Sequence, residues 1–90
     1  MVRDELASAR DRLESAAENA SDPDAADRLD DLAGQLDTLA TRERGPDHGR
    51  LARIENALDD LTDDVDAGTA DTIDAAHEDV VAFRETVEGV

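Results

Sequence analysis

Apolar residues along the chain recur at steps of three and four, the spacing that places them on one face of an α-helix. Four such stripes are separated by three breaks. The stripes are Val2, Leu6, Ala9, Leu13 and Ala16; Ala25, Leu29, Leu32, Leu36 and Leu39; Leu51, Ile54, Leu58, Leu61 and Val65; and Ile73, Ala76, Val80, Phe83 and Val87. The pattern therefore predicts four amphipathic helices within a single domain spanning residues 1–90.

Capping and turn-forming residues indicate where these helices begin and end. The predicted helices run from about Arg3 to Asn19, from about Asp22 to Glu43, from near Asp47 to Ala67, and from Thr69 onward. Ser21 is the expected N-cap of the second helix, with Pro23 in its first turn. Gly45-Pro46 ends that helix. Gly68 suits a left-handed C-cap for the third helix, and Thr69 caps the fourth.

Four helices joined by short connections pack most simply as an antiparallel up-down-up-down bundle. Several core positions are alanine, so the predicted core is thin for a chain of 90 residues. Homodimerisation often supplements a core of this size. The second and third helices carry the fullest apolar stripes, and we expect them to form any shared surface.

The composition excludes several classes of protein. The chain has no cysteine or tryptophan, which rules out disulfides and thiolate metal ligands. It has no apolar run that predicts a membrane span or a signal peptide, so a soluble cytoplasmic protein is expected. Its 25 acidic and 9 basic residues give a net charge of −16, which disfavours binding to nucleic acid phosphates.

All nine basic residues are arginine, and aspartate outnumbers glutamate by 17 to 8. This balance predicts adaptation to molar salt, where a Debye length of about 3 Å lets carboxylates crowd together without strong repulsion. Intrinsic disorder is a competing interpretation of high charge, but the helical spacing of apolar residues opposes it. An acidic mimic of nucleic acid would concentrate its charge on one face, whereas here the carboxylates are spread over all four helices.

The segment from Arg42 to Arg53 departs from this background. Its local charge is +2, whereas the other 78 residues sum to −18. The candidate binding residues are Arg42, Arg44, Asp47, His48, Arg50 and Arg53. Arginines and the backbone N–H groups of a helix start could hold an anion or an acidic partner. The alternative is structural: these arginines would complement the dipole of the second helix and pair with neighbouring acids.

No other motif predicts catalysis, a metal or a cofactor. His77 is expected at the edge of the bundle with a solvated nitrogen, and no metal-ligand spacing surrounds it. The acidic run from Asp59 to Asp66 fails the EF-hand pattern, because Val65 and Ala67 fall on ligand positions when Gly68 is aligned as the loop glycine. Weak, nonspecific cation binding by surface carboxylates is all that we expect there.

The block Glu43-Arg44-Gly45-Pro46-Asp47-His48-Gly49-Arg50-Leu51-Ala52-Arg53 and the closing residues Thr86–Val90 resemble a family of short, acidic haloarchaeal proteins of unassigned function. The resemblance covers essentially the whole chain. It implies a haloarchaeal cytosolic origin and a helical fold, and it implies no activity and no functional residues.

These observations predict a non-enzymatic, halophilic cytoplasmic protein that acts by self-association or by contact with another protein. The expected partners are a second copy or a protein partner, with no nucleic acid, no membrane and no cofactor. The alternative is a small anion- or nucleotide-sensing module that uses the Arg42–Arg53 segment and needs a concave pocket beside it.

Overall fold

The computed structural model describes residues 3–41 and 47–86, and the regular structure in these ranges is entirely α-helical. The helices are α1 (Asp4–Asn19), α2 (Pro23–Thr41), α3 (His48–Thr62) and α4 (Ala67–Thr86). The predicted all-α helical bundle is therefore confirmed. In the described ranges, no helix is long and apolar enough to cross a membrane.

The predicted apolar stripes form the core. Their buried members are Leu6, Ala9, Leu13, Ala16, Ala25, Leu29, Leu32, Leu36, Leu39, Leu51, Ile54, Leu58, Leu61, Ile73, Ala76, Val80 and Phe83. Val65 is half-buried and packs against them, and Val2 and Val87 lie outside the described residues. Burial of each large side chain stabilises the fold by about 1.5–3 kcal/mol. The alanines bring helices close together but contribute less.

The backbones pack closely in three helix pairs: α1 with α2, α1 with α4, and α3 with α4. The pairing of α2 with α3 is looser, and a groove separates these two helices. The bundle therefore has three tight helix–helix seams and one open seam among the residues that the structure describes.

Short polar contacts also occur across the tight seams. Across the α1–α2 seam, Arg10 Nη1 lies 2.6 Å from Asp37 Oδ1, and the Arg3 guanidinium donates to the Leu39 carbonyl at 2.8 Å. Across the α1–α4 seam, Asp79 Oδ2 accepts from Arg12 Nε at 2.9 Å. These short bonds reinforce seams that apolar side chains already close.

By contrast, one long ion pair connects α2 to the turn that follows α3. Arg28 Nη1 lies 3.9 Å from Asp64 Oδ2, and both side chains are about half exposed. Exposed ion pairs of this length contribute little to stability. Among the residues with a described position, the open seam therefore lacks both the close packing and the short polar bonds that hold the other three.

The start of α2 differs from the prediction by one residue. The helix begins at Pro23, and Asp22 is the cap because its Oδ1 accepts the backbone N–H of Asp24 at 3.3 Å. Ser21 precedes this cap and was wrongly predicted to provide it. An aspartate cap adds a negative charge at the positive end of the helix dipole, which makes it at least as effective as serine.

Helix α3 ends five residues before its predicted end, and α4 begins two residues before its predicted start. Helix α3 ends at Thr62, and α4 begins at Ala67, so the C-cap predicted at Gly68 and the N-cap predicted at Thr69 are both wrong. Asp66 caps α4 instead: its Oδ1 accepts from the Thr69 hydroxyl at 2.6 Å. Thr69 is itself buried at 4% exposure, one turn inside the helix.

Gly34 provides a test of helix propensity without a change in packing. It is exposed on α2, and a Cβ atom added there meets nothing within 4 Å. We expect Gly34→Ala to raise the free energy of unfolding by about 1 kcal/mol, because alanine loses less backbone entropy on forming a helix. Urea denaturation at fixed KCl concentration measures this, and a destabilised variant would show that α2 needs the glycine.

Asp66 provides a pH-dependent test of the cap. The hydrogen bond from the Thr69 hydroxyl, followed by that from the Thr69 backbone N–H, lowers the pKa of Asp66 below its ordinary 3.8. A carboxylate with a lowered folded-state pKa stabilises the fold above its unfolded-state pKa and loses that effect as pH falls through the folded-state value.

We therefore expect Asp66→Ala to lower Tm at neutral pH, with a gap from the wild type that is constant above about pH 5 and narrows below about pH 4. Asp66→Asn is the matched control, since its amide oxygen can still accept from Thr69 but does not titrate. Thermal melts at each pH give the comparison, and a gap that does not change with pH would contradict it.

Candidate functional site

The structure divides the predicted binding residues between two sides of α3. Arg42 and Arg44 lie outside the described residues. Asp47 is the N-cap of α3, and its Oδ1 accepts the backbone N–H of Arg50 at 3.0 Å. The start of α3 thus already holds a carboxylate from its own chain, and this leaves less positive potential for an external anion than an uncapped helix start would.

His48 faces α4. Its Nδ1 accepts from Arg84 Nε at 3.3 Å, and the histidine is half-buried. The contact with Arg84 thus holds this candidate binding residue in the α3–α4 seam.

His48 belongs to a chain of four polar side chains across that seam. Glu55 accepts hydrogen bonds from Arg84 Nη1 and, at 3.1 Å, from His77 Nε2 when that nitrogen carries its proton. This nitrogen of His77, a residue predicted to lie at the edge of the bundle, contacts a carboxylate that is only 17% exposed. Sequence reasoning missed the network because it treated each helix separately.

A sequence signal for this network exists. His48 and Glu55 are seven residues apart on α3, and His77 and Arg84 are seven apart on α4. A separation of seven residues is two helical turns, so each pair occupies one stripe on its helix. If the two stripes face each other in opposite directions, His48 meets Arg84 and Glu55 meets His77. The network therefore connects two stripes and stabilises the fold.

Arg50 and Arg53 lie on the opposite side of α3, at the open seam. With Leu32, Gln35, Ile54 and Ala57 they line a groove of about 500 Å³ between α2 and α3. Leu32 and Ala57 also border a second hollow of about 390 Å³ farther along the same two helices, together with Asp27, Arg28 and Asp31. The two hollows therefore adjoin at Leu32 and Ala57.

The groove has opposite charges at its two ends. Arg50 and Arg53 mark one end, and Asp27 and Asp31 mark the other. From Arg50 to Ala57 the distance along α3 is about 10 Å, and the side chains between the charged ends are mainly apolar. Arg28 at the acidic end is offset by Asp64, 3.9 Å away.

Arg53 differs from the other arginines of the described ranges, because it makes no ion pair or hydrogen bond there, and it is exposed. Arg50 lies 3.9 Å from Asp47 Oδ2 and is only loosely paired. Arg10, Arg12 and Arg84, in contrast, make short bonds to carboxylates in the tight seams. In a chain with 25 acidic residues, an exposed arginine that no carboxylate of the described ranges pairs is unusual.

The lining of the groove is basic and apolar. The groove presents two guanidinium groups, one amide and apolar surface, and these supply neither a nucleophile nor a paired acid and base. Across residues 3–41 and 47–86, no group of three or more histidine or acidic side chains is placed to hold a metal ion.

Fold and groove together describe a small, acidic four-helix bundle protein with a groove on one side. Residues 1–86 match a family of unknown function, DUF7553. The chain belongs to this family. No curated protein and no solved structure matches it.

Glu55 provides a test of the α3–α4 network. We expect Glu55→Ala to lower the free energy of unfolding by about 1–2 kcal/mol, because Arg84 and His77 lose the acceptor that they share in a half-buried seam. Asp59→Ala is the matched control, since it removes one exposed carboxylate from the same helix. Urea denaturation at constant KCl measures both, and equal effects of the two substitutions would contradict the structural role of the network.

Proposed function

We propose that this protein works without catalysis, by binding another protein chain in the groove between α2 and α3. The observation that carries the proposal is the contrast between the seams. Short polar bonds and close packing close three of them, whereas the fourth keeps an apolar floor, two adjoining hollows and an Arg53 that no described residue pairs. A surface with an apolar centre and charged ends is typical of protein–protein contacts.

We also propose that the four helices alternate in direction, as in an up-down-up-down bundle. In support, Arg3 at the start of α1 donates its backbone N–H to Ala40 near the end of α2. Ser8 near the start of α1 contacts Asp79 in the second half of α4, and His48 at the start of α3 contacts Arg84 near the end of α4. In that arrangement α2 and α3 lie side by side along the whole groove.

The surrounding solvent that we propose is molar salt, in the cytosol of a halophilic cell. Exposed carboxylates occur on every helix, and examples are Glu14 on α1, Asp30 on α2, Asp60 on α3 and Asp71 on α4. Such a distribution favours hydration of the whole surface over recognition by one acidic face. It also means that repulsion between carboxylates acts on the entire fold when salt is removed.

A small-anion sensor is the second candidate, since Arg50 and Arg53 are one turn apart beside a concave surface. The N-cap at Asp47 makes the anion sensor a weaker candidate than the protein-binding function. Its carboxylate occupies the backbone N–H of Arg50 and lies near the Arg50 guanidinium, so a phosphate at the helix start would meet a like charge.

Photo-crosslinking tests the proposed function. The chain has no cysteine, so Ala57→Cys introduces a single attachment point in the floor of the groove, and Glu14→Cys introduces a control on the exposed face of α1. After labelling with a benzophenone maleimide and illumination in a cell extract at molar KCl, we expect specific adducts from position 57, identified by mass spectrometry. Equal adducts from both positions, or none from position 57, would contradict the proposal.

Salt dependence of stability tests the proposed solvent. Raising KCl from about 0.1 M to about 2 M shortens the Debye length from about 10 Å to below 3 Å, and this weakens repulsion among the carboxylates. We therefore expect Tm to rise over this range when followed by circular dichroism. A Tm that stays constant or falls would contradict adaptation to molar salt.

A further inference from the structure

We infer that the occupant of the groove is a second copy of this chain, related to the first by a twofold axis through the middle of the groove near Leu32 and Ala57. This inference rests on the proposed function and adds the identity of the partner. A twofold axis requires a self-complementary surface, because each residue of one copy meets the exchanged position of the other.

The charges of the groove meet this requirement. Rotation by 180° about such an axis exchanges the two ends of the groove, so Arg50 and Arg53 of one copy face Asp27 and Asp31 of the other. Arg53 and Asp27 have no ion pair within the described part of the chain. Asp31 accepts only from the neutral Gln35 amide, at 3.0 Å. Each dimer would thus gain two sets of ion pairs that a single copy does not make.

The apolar middle and the size of the face agree with a dimer. Leu32 and Ile54 are already almost buried, and Ala57 is half-buried at the point where the two hollows join. The small side chain of Ala57 leaves room for a helix of the partner to approach closely. The molecule measures 39 × 19 × 18 Å, so contact along one long side has the extent of a stable interface, which buries about 800 Å² on each partner.

Net charge distinguishes a second copy from a basic partner. Two copies at −16 each repel one another at low salt, and molar salt screens this repulsion while short contacts in the groove persist. Self-association should therefore strengthen as salt rises. Binding of a cationic protein to the same acidic chain would weaken under the same change, because screening removes its long-range attraction.

A charge-exchange experiment tests the inference on the full chain. One variant carries Arg50→Asp and Arg53→Asp, and the other carries Asp27→Arg and Asp31→Arg. Both substitute exposed side chains, and circular dichroism verifies that each variant is folded. Sedimentation equilibrium at 2–3 M KCl measures the dimerisation of the wild type, of each variant alone, and of an equimolar mixture.

We expect the wild type to dimerise, each variant alone to dimerise at least about tenfold more weakly, and the mixture to form a heterodimer of near wild-type affinity. Glu14→Arg with Glu18→Arg is the matched control for Asp27→Arg with Asp31→Arg, because it makes the same change in net charge on α1. This control should not weaken dimerisation.

Either of two results would overturn the inference: a wild type that stays monomeric at every salt and protein concentration, or variants that dimerise as well as the wild type. The first result leaves the proposed function standing if crosslinking from position 57 captures a different, identified protein. If the wild type is monomeric and position 57 gives no specific adduct, both proposals fail.

Discussion

Burial of one apolar stripe from each helix is the interaction on which this structure depends. The chain has a single aromatic residue and fills many core positions with alanine, so the apolar side chains that close the bundle are few. They are enough to bring α1 against α2 and α4, and α3 against α4. The fourth seam is left with Leu32, Ile54 and Ala57 around a hollow instead of an interdigitated contact. The groove is thus a consequence of how little apolar volume the sequence provides.

The arginines reinforce this division. Those in the tight seams form short bonds to carboxylates on a neighbouring helix, as Arg10 does with Asp37 and Arg12 with Asp79. Each such bond places a positive charge between two acidic helices and reduces their repulsion. Arg50 and Arg53 are not used in this way: Arg50 lies 3.9 Å from Asp47 Oδ2, and Arg53 makes no ion pair within the described residues. The groove is therefore positively charged at the end with Arg50 and Arg53 and negatively charged at the end with Asp27 and Asp31.

Much of the helical core could be predicted from the sequence, because the spacing of Leu29, Leu32, Leu36 and Leu39 depends only on helix geometry. The end of α3 could not be placed by the same reasoning. Glycine is typical of a C-cap, which is why Gly68 was expected to end α3. Instead, the hydrogen bond from the buried Thr69 hydroxyl to Asp66 caps α4 two residues before Gly68. This hydrogen bond forms only in the folded turn and could not be read from the sequence. The arrangement of the candidate binding residues was only partly predictable for a similar reason. Periodicity places Arg50 and Arg53 on one stripe, but only packing shows that His48 faces α4 and that α2 stays apart from α3.

We propose that the α2–α3 side is the contact surface of this protein. Amide hydrogen exchange in molar KCl, measured on dilute and concentrated protein, tests this proposal because it examines every helix at once. We expect the amides around Leu32–Gln35 of α2 and Arg53–Ala57 of α3 to exchange more slowly as the protein concentration rises, whereas exchange in α1 stays unchanged. An increase confined to α1 or α4, or no change in any helix, would contradict it.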